Sequence, residues 1–456
     1  MRRCYRYHLS PRFTGVRLFG ASLPNRLLTS RFLTASGDYA WDLALPLVCA
    51  QVFSDPLRYA ALLFLLYRVA VITLLPAVGR WIDRTDQRSL IRIAIGVQLV
   101  AVVMATVALN GLSQLASQAT SPDLATEGLL FFTLLVAYVA SGLGHTAIEI
   151  AIDSHWIPGL LSVEQYSAIN ARLRRLVLLT ESSVPPITGV WLTVAGLSLG
   201  PLTGFYGVAA FNLFTFYLEY RILSGILDHA PVFVRQGTPP ATMDTPEQPK
   251  PDVWGRWQAF IRHPLALVFV AQTCLWFTVL SPHSALLTVF LRVRYTLSDW
   301  AVSVFRGAGA FTGVLATLLF PMVERRVGLT KAGGLFIALQ ALCLLVAAGA
   351  LLNTDSVPLE VCMGAIVCSR IGLYGFTLSD TQLRQRYIAA HERAGIVGMA
   401  RSLHNMGTLL IYSSAAVFSD PADFPWLGLA TALSVATGAI VFAYWRAGWE
   451  RERLRD

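Results

Sequence analysis

Asp38 and Asp42 stand inside an apolar stretch, Ser30–Phe53, that reads SRFLTASGDYAWDLALPLVCAQVF. Four residues apart, they share one face of a helix. A carboxylate at the centre of a bilayer costs about 2.5–3.5 kcal/mol even on the mildest scales, and two on one face also repel each other. The simplest compensation is a cation that both help to bind, which makes the pair a candidate site for positively charged cargo. The alternative is an internal ion pair with Arg68, a cation otherwise unexplained in LLFLLYRVAV. Further along, His145, Glu149 and Asp153 recur at four-residue spacing. They read either as a polar relay for protons or a cation, or as a solvated vestibule partnered by Arg174 or Arg175. Glu181 is another acid in an apolar run. His283, beside Pro282 in VLSPHSALL, and His404 add imidazoles that serve equally as ligands or as satisfied core histidines.

The elements that must position these groups are membrane spans. The 456 residues are 55% hydrophobic and 14% charged, with a mean hydropathy of +0.56, against about a quarter charged in soluble chains. Twelve stretches approach the roughly 20 residues needed to cross hydrocarbon: 30–53, 57–79, 90–113, 127–152, 173–196, 200–227, 264–290, 299–322, 331–353, 357–379, 394–418 and 424–447. Lys and Arg cluster in alternate loops (Arg80, Arg84, Arg88 and Arg92; Arg172, Arg174 and Arg175; Arg325, Arg326 and Lys331; Arg384, Arg386 and Arg393), whereas 110–127, 197–204, 353–360 and 419–425 carry none. The positive-inside rule then puts both termini in the cytoplasm. Arg292 and Arg294, on the outer side, are exceptions. Topology therefore accounts for the net charge of +9, and no nucleic-acid partner is expected. Five of the six cysteines lie in apolar runs and no CxxC occurs, so they read as buried small side chains rather than a disulfide framework.

Pro and polar residues crowd the longest break, which predicts a mobile linker. The expected organisation is a cytoplasmic tail over 1–29, a six-helix half over 30–228, a cytoplasmic linker over 229–263, a second six-helix half over 264–447 and a tail over 448–456. The Arg-rich, acid-free tail reads as topogenic, with a transit peptide as the alternative. Basic turns after the second span of each half, GRWIDRTDQR and ERRVGLTK, reinforce the repeat. An all-α membrane protein of twelve transmembrane helices in two six-helix halves is the major facilitator architecture, with cargo held near the midplane between halves.

Several stretches resemble the ferroportin family of iron exporters (solute carrier family 40): GDYAWDLA at 37–44, GRWIDR at 79–84, HWI at 155–157 followed by NARLRR at 170–175, SRIGLYGFTLSDTQLRQ at 369–385 and ERAGIVGMARSLHN at 392–405. The resemblance implies alternating-access export of ferrous iron or a related divalent metal. The metal would be cargo rather than a cofactor, in a monomeric multi-pass protein of the plasma membrane or a vacuolar or organelle envelope. By resemblance Asp38 is the first-site ligand, and Asp42 takes a position held by His in some members. Two carboxylates make a harder site than carboxylate plus imidazole. The family's second site implies a broken span seven, with Ser284 at a Cys position and His283 beside it; the family's histidine of span eleven falls on Ile411, and His404, two turns earlier in that span, is expected to take its part with His283. Asp83, Arg88, Arg174, Arg175 and Arg370 resemble a cytoplasmic gate of ion pairs between the halves. The competing reading is a facilitator for an organic cation or metal chelate, with Trp41 supplying cation–π contact. A membrane enzyme lacks a nucleophile motif to support it, no GxxxxGK[ST] phosphate loop occurs, and a non-transporting receptor is the remaining alternative.

Overall fold

The structure, a computed structural model, describes residues 23–117, 124–152, 163–199, 202–229, 253–353, 356–388 and 390–453. The Arg-rich segment 1–22, positions 153–157 and residues 230–252 lie outside the described residues. Among those described, the secondary structure is helical throughout.

Six helices come first: α1 (Leu23–Val52), α2 (Pro56–Arg84), α3 (Gln87–Ser117), α4 (Leu124–Ala151), α5 (Val163–Leu199) and α6 (Thr203–His229). After 230–252 come α7 (Val253–Arg262), α8 (Ala266–Trp276), α9 (Ala285–Tyr295), α10 (Asp299–Val327), α11 (Leu329–Leu352), α12 (Leu359–Tyr387), α13 (Ala390–Val417) and α14 (Phe424–Arg453). Seven of these are long and apolar enough to cross a membrane unaided. α8 and α9 have 11 residues each, roughly 16 Å of helix, and only together do they make one crossing. α1, α5, α6 and α13 dilute their apolar content with polar side chains, several of which belong to the site described below.

Local chemistry explains where helices start and stop. Pro56 opens α2 while Asp55 accepts from the Arg58 backbone N–H at 3.3 Å. The basic turn after α2 is only Thr85–Asp86, and the Asp86 carboxylate accepts from Ser89 N at 2.9 Å. That bond holds its carboxyl below the usual range. The equivalent turn after α10 is the single residue Gly328, whose φ of +84° suits glycine.

The outer-side exception to the charge rule has a structural cause. Arg292, in the last turn of α9, donates to the Leu297 carbonyl at 2.7 Å and pairs with Asp299 at 3.5 Å. It holds a sharp reversal in which Thr296 is left-handed, at φ +50°.

α1 packs against α5 and α6, α3 against α4, and α11 against α12 and α14. Between the first six helices and the later group, the main contacts are α5 with α10, α2 with α13 and α1 with α9. Bonds cross with them: Ser419 Oγ to Asp55 Oδ2 at 3.2 Å and Trp300 N to Thr193 Oγ1 at 3.1 Å.

Three expected boundaries change. α1 takes in residues 23–29 of the expected N-terminal tail, and α14 continues to Arg453, through most of the expected C-terminal tail. Ten residues assigned to the mobile linker form α7, because their apolar side chains have somewhere to go. Phe260 is 3% exposed, stacks on Phe269 at 5.3 Å and meets Trp257 edge-on at 5.8 Å. Phe260→Ala is expected to cost about 3–5 kcal/mol and to lower the thermal unfolding midpoint in detergent; an unchanged midpoint would show that α7 is not docked.

Candidate functional site

Gly37 sets the position of Asp38. A Cβ at residue 37 would lie 2.8 Å from Asn212 Oδ1 and 2.9 Å from Thr215 Oγ1 of α6. Only glycine lets the two helices approach this closely, and Asn212 Nδ2 donates to the Gly37 carbonyl at 3.2 Å. The next residue therefore projects from a fixed point on α1 toward α4.

There Asp38 meets His145, with Oδ2 3.0 Å from Nδ1. The two form a close carboxylate–imidazole pair. His145 Nε2 lies 3.9 Å from Glu149 Oε2, and Glu149 in turn pairs with Arg31 of α1. Beneath this group Glu219 of α6, 2% exposed, accepts from Thr34 Oγ1 at 2.6 Å. Of the three residues read as a relay, His145 and Glu149 thus belong to the site; Asp153 lies outside the described residues.

Asp42, one turn on from Asp38, is exposed although the seven residues that follow it are all buried. It opens onto the space between the two groups of helices. The charged groups facing it are Asp38, Arg306 of α10, His145 and Arg68 of α2, with Tyr138 of α4 and Tyr412 of α13 alongside. Arg68 lies over the Tyr67 ring at 5.9 Å. The contact ion pair of Asp38 is with histidine rather than with Arg68. Arg306, 4% exposed, donates to the backbone carbonyl of Asp42 at 3.2 Å. Sequence reading missed Arg306; the signal was a lone cation in VSVFRGAGAF, the same kind of signal that marked Arg68. Phe64, Tyr67, Tyr138 and Tyr412 form an aromatic layer joining α2, α4 and α13. Trp41 is packed against Phe205 at 5.1 Å, so its ring serves the core rather than offering the cation–π face expected of it.

Pro282 interrupts span seven as expected: residues 277–284 join α8 to α9 without helix. Backbone freed in a membrane needs internal partners, and Arg370 supplies them. It is 3% exposed and donates to the Leu280 carbonyl and to Ser281 Oγ, both at 3.3 Å. The structure therefore places Arg370 in mid-span, where it braces the break, and not at a cytoplasmic gate. Ser284 is the N-cap of α9: its Oγ accepts from Leu287 N at 3.4 Å.

His283 faces the other group of helices, with Nε2 3.6 Å from Glu181 Oε1 of α5. The structure does not bring His404 to it. Besides Glu181, the charged groups around His283 are Arg306 and Arg370, whereas those around His404 are Arg384 and Arg401. His404 also precedes Tyr412 by eight residues, roughly 12 Å along α13. The imidazole that sequence reading paired with His283 is thus replaced by a carboxylate from α5.

Of the other expected gate residues, Arg88 pairs with Asp228 at 2.7 Å, inside the first group of helices. Arg386 with Glu324 and Arg384 with Asp380 are likewise internal to the second. Arg175 is exposed. The side chains of Asp83 and Arg174 lie outside the described residues.

A family profile described as Ferroportin1 (FPN1) matches residues 21–437. Ferreportin of Bdellovibrio bacteriovorus is 27% identical over 423 residues, covering 93% of this chain and 94% of that one. The structure resembles that of a bacterial homologue of the iron transporter ferroportin in an inward-facing state, at 27% identity and a TM-score of 0.83, covering 93% and 99% of the two chains. Against an outward-facing state of such a homologue, at 26% identity and 94% and 100% coverage, the TM-score is 0.63.

The cap assigned to Ser284 has a measurable consequence. Ser284→Ala is expected to lose about 0.5–2 kcal/mol, seen as a lower unfolding midpoint, and Ser284→Asp to restore it. Equal midpoints for all three proteins would remove the cap assignment.

Proposed function

We infer that this chain, which belongs to the ferroportin family, exports ferrous iron or a related divalent metal from the cytosol by alternating access. The observation that carries this reading is the carboxylate pair of α1, open to the space between two groups of helices and faced by side chains of both. A dication between Asp38 and Asp42 cancels their charge. The loaded site then becomes cheaper to close off from water than the empty one, because burying an uncompensated carboxylate is costly.

The metal is cargo, with no resident cofactor in this reading, and the chain performs transport rather than catalysis. Residues 30–228 and 264–447 act as the two halves that rock about the site. The higher similarity to an inward-facing homologue and the cross-contacts at Ser419–Asp55 and Trp300–Thr193 support an arrangement open toward the cytoplasm. In the opposite state Asp83, Arg88, Arg174 and Arg175 would close the inner side, which requires Arg88 to leave Asp228. His283, with Glu181, is a second stop for the cation, and Ser284 and His404 take smaller parts, Ser284 by shaping the break. The working unit is a monomer in the plasma membrane or in a vacuolar or organelle envelope.

The test is flux through purified protein in liposomes. Asp38→Ala is expected to abolish iron and cobalt movement while the variant keeps its elution profile and unfolding midpoint. Undiminished metal flux in that variant would refute the assignment.

A further inference from the structure

The Asp38–His145 contact has the geometry of two ligands of one ion. Bonds from a first-row dication to imidazole nitrogen or carboxylate oxygen are about 2.0–2.2 Å, so two donors at a right angle in a six-coordinate shell stand about 3 Å apart. Oδ2 of Asp38 and Nδ1 of His145 are 3.0 Å apart. The two atoms form a close carboxylate–imidazole contact at the separation that two donors to one ion would have.

The opposite edge of the ring is also arranged for this. Nε2 faces the Glu149 carboxylate at 3.9 Å, and Arg31 holds Glu149. A carboxylate on that side of the imidazole favours a proton on Nε2 electrostatically, the kind of outer support a metal-bound histidine uses. With hydrogen on Nε2, the lone pair of Nδ1 is left for the ion.

We propose that His145 of α4 is a cargo ligand alongside Asp38, making the site a mixed nitrogen–oxygen one that selects Fe2+, Co2+ and Ni2+ over Mn2+, Mg2+ and Ca2+. Glu149 and Arg31 are its positioning residues. The proposal deepens the export reading and rests on it, because Asp38 must be a ligand for His145 to share its ion. It also changes the expected selectivity: two aspartates alone make a hard oxygen site, whereas imidazole moves the preference toward later metals.

Calorimetry on detergent-purified full-length protein, titrated separately with Co2+ and Mn2+, tests this. His145→Gln is expected to weaken Co2+ binding by about 10–100-fold, with Mn2+ affinity kept within about threefold because the oxygen donors remain. Asp38→Ala is expected to remove this site for both metals, leaving only binding at His283 and Glu181, which is counted separately in a His283→Ala background. Low-temperature pulsed electron paramagnetic resonance of Co2+ bound to a His283→Ala protein that keeps His145, at substoichiometric loading, should show coupling to a directly bound nitrogen, and adding His145→Gln should remove it. If Asp38→Ala removes this site while His145→Gln leaves the Co2+ to Mn2+ ratio unchanged, His145 is not a ligand and the Asp38 site stands without it. If Asp38→Ala binds both metals normally, the export reading fails and this proposal with it. Should His145→Gln not fold, absence of nitrogen coupling to Co2+ in the His283→Ala protein overturns the proposal by itself.

Discussion

The cost of holding charge away from water governs the interior of this molecule. Several ionisable groups between the helices are placed beside a partner from another helix: Asp38 against His145, Glu149 against Arg31, Glu219 under Thr34, and His283 against Glu181. The partners come from different helices, so electrostatic compensation and tertiary packing are the same set of contacts. Asp42 departs from this pattern, since its carboxylate opens onto accessible space while its neighbours on α1 are sealed. A site for cargo needs such an unfinished member, because a fully satisfied network has no place for an incoming ion.

The broken seventh span shows the same rule acting on backbone. Residues 277–284 leave the helical ladder in the middle of the bundle. Arg370 answers the Leu280 carbonyl, and the capping serine answers the first turn of α9. The break brings His283 to face α5, whereas a continuous helix would turn that position with its neighbours. Irregular backbone at this depth is therefore a way of presenting a side chain across the gap, at the expense of dedicating a buried arginine to its support.

Much of this was legible in the sequence, and what was not has a common cause. Spans, turns and the interruption at Pro282 depend on apolar run length and on residues such as Asp55, Asp86, Gly328 and Pro282, whose effects are local. Asp38, Asp42, His145, Glu149, Glu181 and His283 could be singled out because charge in an apolar run is rare, whereas Glu219, beside Arg221 at the end of its run, was passed over. Their pairings could not be assigned, because a partner is chosen by helix packing: Asp38 takes His145 from α4 rather than Arg68 from α2, and His283 takes Glu181 from α5 rather than His404 from α13. Motif resemblance misplaced Arg370 for a related reason. Its position along α12 suits a brace, and the intact RIGLY-to-TQL segment does its knitting elsewhere, with Arg384 over the Phe269 ring at 4.6 Å and Gln382 bonded to Glu324 at 3.2 Å. α7 was hidden because ten residues flanked by Pro-rich sequence carry too short a pattern to separate from a linker.

The bond from Arg306 reaches the main chain at Asp42 and leaves the carboxylate of that residue to its own business. The tie itself therefore does not depend on which side chain stands at position 42. Evolution can exchange the side chain there for a softer, harder or neutral one, retuning which ions are welcome, while the strut tying the two sides together stays in place.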